Sequence, residues 1–175
     1  MEKREFWENM LWGSNQRRAM HEVESESMHE SSDYLPLRSS HDGHSNRGRV
    51  NAALCQELAD IIGGMVIATK PACVVQRLRN IDATIKGRTT QSPLALPFAL
   101  SVENNRLNLG ETVILQAEIN PFLSALRRRG LAVTAVHNHW LFDKPRLMYM
   151  HWENVGDPVE FARKSIEAAR EADLF

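Results

Sequence analysis

The chain has 175 residues, 43% of them hydrophobic, which is enough for one globular domain with an additional segment. Its 21 Lys and Arg residues balance 22 Asp and Glu residues, so the sequence lacks the basic surface typical of nucleic-acid-binding proteins, and we expect no nucleic-acid partner. It also lacks an apolar run of about 18–20 residues and a secretory signal, so we expect a cytoplasmic protein without membrane association.

The first 50 or so residues differ in composition from the rest. They are rich in Ser, Glu, His, Arg and Gly, and such a segment buries too little apolar area to offset the entropy of ordering. We predict a mostly disordered tail over residues 1–50 and a single domain over residues 51–175. Within the tail, residues 5–12 (EFWENMLW) carry apolar side chains at helical spacing. They form either a short helix that docks on the domain or on a protein partner, or an unstructured apolar terminus.

The first predicted helix covers residues 52–62. Asn51 is a suitable N-cap, and the Gly63-Gly64 pair is a suitable end. The apolar positions follow the spacing of an amphipathic helix: Leu54, Leu58, Ile61 and Ile62.

The two cysteines are Cys55, in this helix, and Cys73, in a strand-like segment. Their spacing matches no zinc or redox motif. We interpret them as two separate buried thiols rather than as a disulfide.

β-rich segments dominate the next part of the chain. A turn is predicted around Asn104, Asn105 and Gly110, and a loop over residues 89–97. Strands are predicted over residues 72–80, 81–87, 98–104 and 111–117.

A second helix is predicted after Glu118, with Asn120 as its N-cap, Pro121 in its first turn and Gly130 at its end. Three arginines lie in its last turn, where they complement the helix dipole. We favour this role over that of an anion-binding triplet. Strands over residues 131–139 and 145–153 follow, joined by residues 140–144. Asp157 and Pro158 then begin the last helix.

The order of elements is therefore α-β-β-β-β-α-β-β-α. This order predicts an α+β fold, in which helices pack on a mainly antiparallel sheet. Helix-strand-strand occurs twice, around residues 52–86 and 121–152, which suggests an internal α-β-β duplication in element order.

Polar residues end the strand over residues 131–139. Because side chains alternate along a strand, His137 and His139 face one side and Asn138 faces the other. The spelling His-Asn-His matches the name of a nuclease class. The helix that follows contains no histidine, however, and that class needs one there.

A third histidine, His151, lies in the strand over residues 145–153. If the two strands pair with His151 opposite His137, or opposite His139, all three imidazoles share one face within roughly 5–7 Å. A register shifted by one residue would separate them.

Three imidazoles on a rigid sheet suit a divalent metal such as zinc, with a coordination position left open. Glu118 and Glu153 are the carboxylates that would complete such a site. Two alternatives stay open: a polar cleft that binds an anion without metal, and histidines that only form structural hydrogen bonds.

A second polar group lies at residues 77–82, RLRNID. Arg77 and Arg79 share a strand face, and Asp82 follows. They form either a clamp for a carboxylate or phosphate group, or a solvated strand end.

The motifs EINP, HNHWL, PRLMYMHW and GDP, with RLRNIDATIKG upstream, resemble the LppY/LpqO family of bacterial proteins, whose function is not established. The resemblance covers about residues 52–172, with Leu78 at a position where proline is usual. Eight residues match the family motifs: Arg79, Asp82, Glu118, Asn120, His137, His139, Arg146 and His151.

We therefore hypothesise a metal-dependent enzyme, most simply a hydrolase, acting on a small anionic molecule. The three histidines would hold a divalent metal, zinc in the simplest case, and Glu118 would be its fourth ligand or the general base. Arg79 would orient the anionic group, and Asp82 would orient Arg79 or a histidine. The resemblance alone adds Asn120 and Arg146 as ligand-binding residues. The alternative is a non-catalytic module that binds a small ligand in the same cleft.

Overall fold

The computed structural model describes residues 50–175. The predicted tail and the candidate partner segment at residues 5–12 lie outside the described residues, so both stay predictions. Within residues 50–175, no helix combines the length and the apolar character that crossing a bilayer requires.

Residues 50–175 form three helices and nine strands, an α+β fold that confirms the predicted class. In chain order they are α1 (Ala52–Ile62), β1 (Met65–Ala68), β2 (Cys73–Leu78), β3 (Ala83–Ile85), β4 (Arg88–Thr90), β5 (Pro97–Val102), β6 (Leu107–Ile114), α2 (Ile119–Arg128), β7 (Ala132–Asn138), β8 (Asp143–Lys144), β9 (Met148–Val155) and α3 (Pro158–Glu171). A 3₁₀ turn at Gln116–Glu118 leads into α2.

The strands form two antiparallel sheets. The large sheet has the order β1-β2-β5-β6-β9-β7, and the small one has the order β4-β3-β8. The three helices cover one face of the large sheet, where Phe98, Phe122 and Trp152 belong to the main core. The opposite face, which we call the open face, is covered only in part, where Ala83 of the small sheet clusters with Tyr149.

The helix boundaries follow local capping chemistry where the sequence supplies it. The Asn51 side chain accepts a hydrogen bond from the Leu54 N–H at 2.8 Å, and Gly63 ends α1 in the left-handed conformation with φ 67°. Asp157 caps α3 in the same way as Asn51 caps α1. These predictions are confirmed.

The predicted N-cap Asn120 is wrong. The 3₁₀ turn at Gln116–Glu118 runs directly into α2, so the chain is already helical before Asn120. The Glu118 carboxylate accepts the Leu115 N–H at 2.8 Å and so stabilises this earlier entry. Local spacing around Pro121 did not indicate that the preceding turn was helical.

The predicted strands need correction at three missed strands and one misplaced glycine. The short strands β1, β4 and β8 are missed because two to four residues carry too little periodicity. Gly110 lies inside β6 and not in the turn that precedes it. It faces the Trp152 indole across the β6–β9 pair, where there is no space for a side chain.

The prediction of two separate thiols is wrong as well, because the structure joins Cys55 and Cys73 in a disulfide with Cα atoms 5.7 Å apart. The packing of α1 over β2 brings the two fully buried residues together, and sequence spacing could not show this. Disulfides persist mainly in oxidising compartments, so this pairing gives no support to the expected cytoplasmic location.

Gly110→Ala is expected to destabilise the domain by about 1–3 kcal/mol, because the new methyl group would overlap the Trp152 indole. Urea unfolding measures this free energy. Gly156→Ala is the matched control, since its added Cβ would meet only the Asn154 amide at 3.4 Å, and it should change stability by less than about 0.5 kcal/mol. Equal effects of the two substitutions would contradict this packing.

Candidate metal centre

The β7–β9 pair decides whether the histidines converge. Its register places His137 opposite Tyr149 and Ala135 opposite His151. The two predicted registers, with His151 opposite His137 or opposite His139, do not occur. The observed register is shifted by two residues from the nearer of them. The offset is even, so the side chains keep their faces and the histidines still share one.

The connection between these strands explains the offset. It extends from residue 139 to residue 147 and includes β8, which pairs with β3. Arg146 donates hydrogen bonds to the Asp143 carboxylate at 2.8 Å and to the Trp140 carbonyl at 3.1 Å. Arg146, a predicted ligand-binding residue, therefore fastens this connection.

The three imidazoles lie together on the open face. The ring centroids of His137 and His151 are 4.9 Å apart, and those of His137 and His139 are 5.0 Å apart. The ligand nitrogens of all three fall within 4.8 Å of one another, and within residues 50–175 they are the group of His, Cys, Asp and Glu side chains that could hold a metal ion. His137 and His139 are exposed, so a ligand can approach the cluster from solvent.

Asn138 takes no part in this cluster, as alternation predicts. It lies opposite Met148, on the face that the helices cover. Its amide donates to the Trp140 carbonyl at 3.2 Å, so Asn138 contacts the connection rather than the imidazoles.

His139 is held by an aromatic neighbour. Its ring stacks on Tyr149 with centroids 3.6 Å apart and planes 6° apart. The Tyr149 hydroxyl accepts from the Trp140 indole N–H at 2.6 Å and donates to the Ala95 carbonyl at 2.8 Å, which fixes the ring. Burial raises the pKa of Tyr149, so it stays a neutral phenol.

The environment of His139 favours its neutral form. Burial lowers its pKa, and the neighbouring imidazoles of His137 and His151 lower it further, against an opposing effect of the Glu111 carboxylate. Neutral imidazole is the form that binds metals.

His151 has one nitrogen next to a carboxylate and one without a partner. Its Nδ1 lies 3.9 Å from Oε2 of Glu111, which is directly opposite it on β6. Its Nε2 is buried and has no hydrogen-bond partner among residues 50–175. A buried nitrogen with a free lone pair fits a metal ligand, since such an atom is otherwise costly to bury.

Sequence reasoning missed Glu111. The carboxylates expected at the site were Glu118 and Glu153, of which Glu153 lies on the open face but opposite Leu109. The available signal was the position of Glu111 within a strand, on the same face as Val113. This position places Glu111 at the site only once β6 is known to pair with β9, which sets Glu111 opposite His151.

Glu118 and Arg79 form an ion pair instead. Two guanidinium nitrogens of Arg79 donate to the two carboxylate oxygens of Glu118, each at 2.8 Å, and Arg79 also donates to the Val113 carbonyl at 3.0 Å. Arg79 is 5% exposed. Glu118 is not among the ligand atoms that converge with the imidazoles.

The remaining predicted site residues, Asp82 and Asn120, are exposed. Asp82 was expected to orient Arg79 or a histidine, but the carboxylate that pairs with Arg79 is that of Glu118. Arg77 donates to the Ile62 carbonyl and lies over the Phe175 ring at 3.9 Å, so it does not form a clamp with Arg79.

A family model described as a Domain of Unknown Function (DUF1259) matches residues 56–171, which include all three histidines. No curated protein and no solved structure matches the chain.

Glu118→Gln is expected to reduce stability at pH 7 by on the order of 2–4 kcal/mol, because it leaves the Arg79 charge buried without a counter-charge. Burial raises the pKa of Glu118, but the Arg79 hydrogen bonds, the Leu115 N–H and the Arg79 charge together hold it below its ordinary value. The stabilisation is therefore present above the unfolded pKa of about 4.3 and is lost as the pH falls through the lower folded pKa.

Urea unfolding of wild type and Glu118→Gln between pH 7 and pH 3 measures this dependence, and the gap between them should narrow in acid. Asp82→Asn removes an exposed carboxylate three residues after Arg79, and it should change stability by less than about 0.5 kcal/mol. A gap that is constant with pH would refute the assignment.

Proposed function

This chain belongs to the DUF1259 family of domains of unknown function, and we propose that its His137, His139 and His151 hold a divalent metal ion. The single observation that supports this most is the convergence of three imidazoles, each with a ring nitrogen within 4.8 Å of the others. We also propose that, within this family, the chain is LppY/LpqO-like, on the motifs that its sequence carries.

Zinc is the ion we propose. Zinc accepts imidazole nitrogen at about 2.0–2.1 Å in a tetrahedral arrangement, which requires the nitrogens to lie roughly 3.4 Å apart. The nitrogens lie within 4.8 Å of one another, at most about 1.4 Å more than this, a difference that small side-chain adjustments can close. Three protein ligands leave a fourth position open, which is typical of catalytic rather than structural zinc sites.

For the activity, we propose hydrolysis of a small anionic substrate. A divalent ion at this position supplies Lewis-acid polarisation of a carbonyl or phosphoryl oxygen. The chain itself supplies three converging imidazoles and an approach that is open to solvent at His137 and His139. Arg79 does not suit the binding of the anionic group, since its charge is already matched by Glu118. Arg146 is the better candidate: it also pairs with a carboxylate, that of Asp143, but its side chain is half exposed and open to solvent.

One observation favours the alternative, a non-catalytic module that binds a small ligand. Both oxygens of Glu118, the predicted general base, are occupied by Arg79. If no other group replaces Glu118 as the base, a site that binds metal would hold a ligand without turning it over. In this form the alternative shares the metal site with the proposed enzyme and differs only in that the bound ligand is not hydrolysed.

Metal binding is tested with wild type, His137→Ala, His151→Ala and Asn138→Ala, in protein purified without an affinity tag. Wild type is expected to bind about one zinc ion per chain, and each histidine variant should lose at least about 100-fold in affinity, more than an outer contact contributes. Calorimetry and elemental analysis provide the measurement. Asn138→Ala should bind like wild type, because Asn138 lies between two of the histidines in sequence but faces away from them.

The absence of bound metal in wild type, together with no thermal shift from zinc, manganese, iron or nickel, would refute the metal site. Equal losses in Asn138→Ala and the histidine variants would show that the losses come from disruption of β7.

Hydrolysis is tested with p-nitrophenyl acetate and p-nitrophenyl phosphate on zinc-loaded protein. Turnover that a chelator abolishes, and that His137→Ala lacks, is expected for the enzyme, because each treatment removes the polarising ion. Zinc-dependent stabilisation by inorganic phosphate without turnover of either ester would favour the binding module instead.

A further inference from the structure

We infer that Glu111 is the positioning residue of this site, a carboxylate that orients His151 through Nδ1 so that Nε2 is presented to the ion. The inference rests on the proposed metal site and adds to it a residue outside the ligand set. Its basis is the direct cross-strand pairing of Glu111 and His151 in the β6–β9 ladder.

The two nitrogens of an imidazole are not equivalent, and the neighbour of one decides the role of the other. In His151, Nδ1 lies 3.9 Å from Oε2 of Glu111, whereas Nε2 is buried and has no partner among residues 50–175. A carboxylate next to Nδ1 favours the tautomer that carries its proton there. Nε2 is then left with the lone pair that a metal ligand needs.

Backbone pairing makes this arrangement reproducible. Residues directly opposite each other on antiparallel strands have Cβ atoms about 4.5–5.5 Å apart. Both β6 and β9 are inner strands of the large sheet, so the Glu111 and His151 backbones are held on both sides. A carboxylate placed in this way needs a side-chain adjustment of only about 1 Å to accept a hydrogen bond from Nδ1–H.

The other acidic residues predicted at the site do not suit this role. The oxygens of Glu118 are bound by Arg79 and the Leu115 N–H. Glu153 lies on the open face of β9, two residues beyond His151 and opposite Leu109, so it does not face the ring. Glu153 is therefore a matched control, because it is also a glutamate on the open face but does not lie opposite His151.

The experiment compares zinc affinity in wild type, Glu111→Gln, Glu111→Ala and Glu153→Ala by calorimetry. Glu111→Ala should lose about 10–100-fold in affinity, the usual effect of removing an outer partner of a metal-bound histidine. Glu111→Gln should fall between wild type and Glu111→Ala, since its amide oxygen still accepts from Nδ1–H but carries no charge. Glu153→Ala should bind zinc like wild type.

A second measurement separates positioning from a general charge effect. Nitrogen-15 NMR of the imidazoles should show His151 of the wild type, with and without zinc, in the Nδ1–H tautomer, and a mixture of tautomers in metal-free Glu111→Ala. Thermal unfolding checks that each variant is folded.

Two outcomes overturn the inference in distinguishable ways. If wild type binds no zinc, the proposed function fails and the inference falls with it. If wild type binds zinc and Glu111→Ala binds equally well, or loses no more than Glu153→Ala, the metal site stands and Glu111 does not position His151.

Discussion

The backbone hydrogen bonds between β7 and β9 are the constraint on which the candidate site depends. They bring histidines from two strands to one face of the sheet and send Asn138 to the other. The register is enforced from the covered face, where Val136 and Met150 lie opposite each other and pack into the main core. A slip of one residue would expose these apolar side chains, so the burial of the core holds the imidazoles in place.

The two groups of polar residues serve different purposes. Arg79 and Glu118 neutralise each other in a bidentate pair that is largely removed from water and that tethers the entry of α2 to the segment after β2. His137 and His139 remain exposed, and burial lowers the pKa of His139. The charges of Arg79 and Glu118 are thus matched within a structural pair, and Glu118 is not among the atoms that converge with the imidazoles.

The sequence predicts what is local. The caps of α1 and α3 and the alternation of His137 and His139 follow from the residues themselves. What it does not contain is the partner of each strand: the disulfide, the β6–β9 pairing that brings in Glu111, and the bond of Arg79 to Glu118 all join residues distant along the chain. The helical entry before Asn120 is an exception, because the Glu118–Leu115 hydrogen bond that stabilises it is local and the residue spacing still did not predict it. The three histidines were predictable as a set because any even register brings them together, whereas their carboxylate partner required the actual one.

β7 lies at the edge of the large sheet, with β9 as its neighbour on one side only. Edge strands are where local opening begins and where a second chain can add by backbone pairing. His137 belongs to this edge strand, His139 directly follows it, and His151 lies in the strand inside it. An ion bound by all three would cross-link the edge strand to the rest of the sheet. Its occupancy would therefore govern how often β7 separates from β9 by local unfolding.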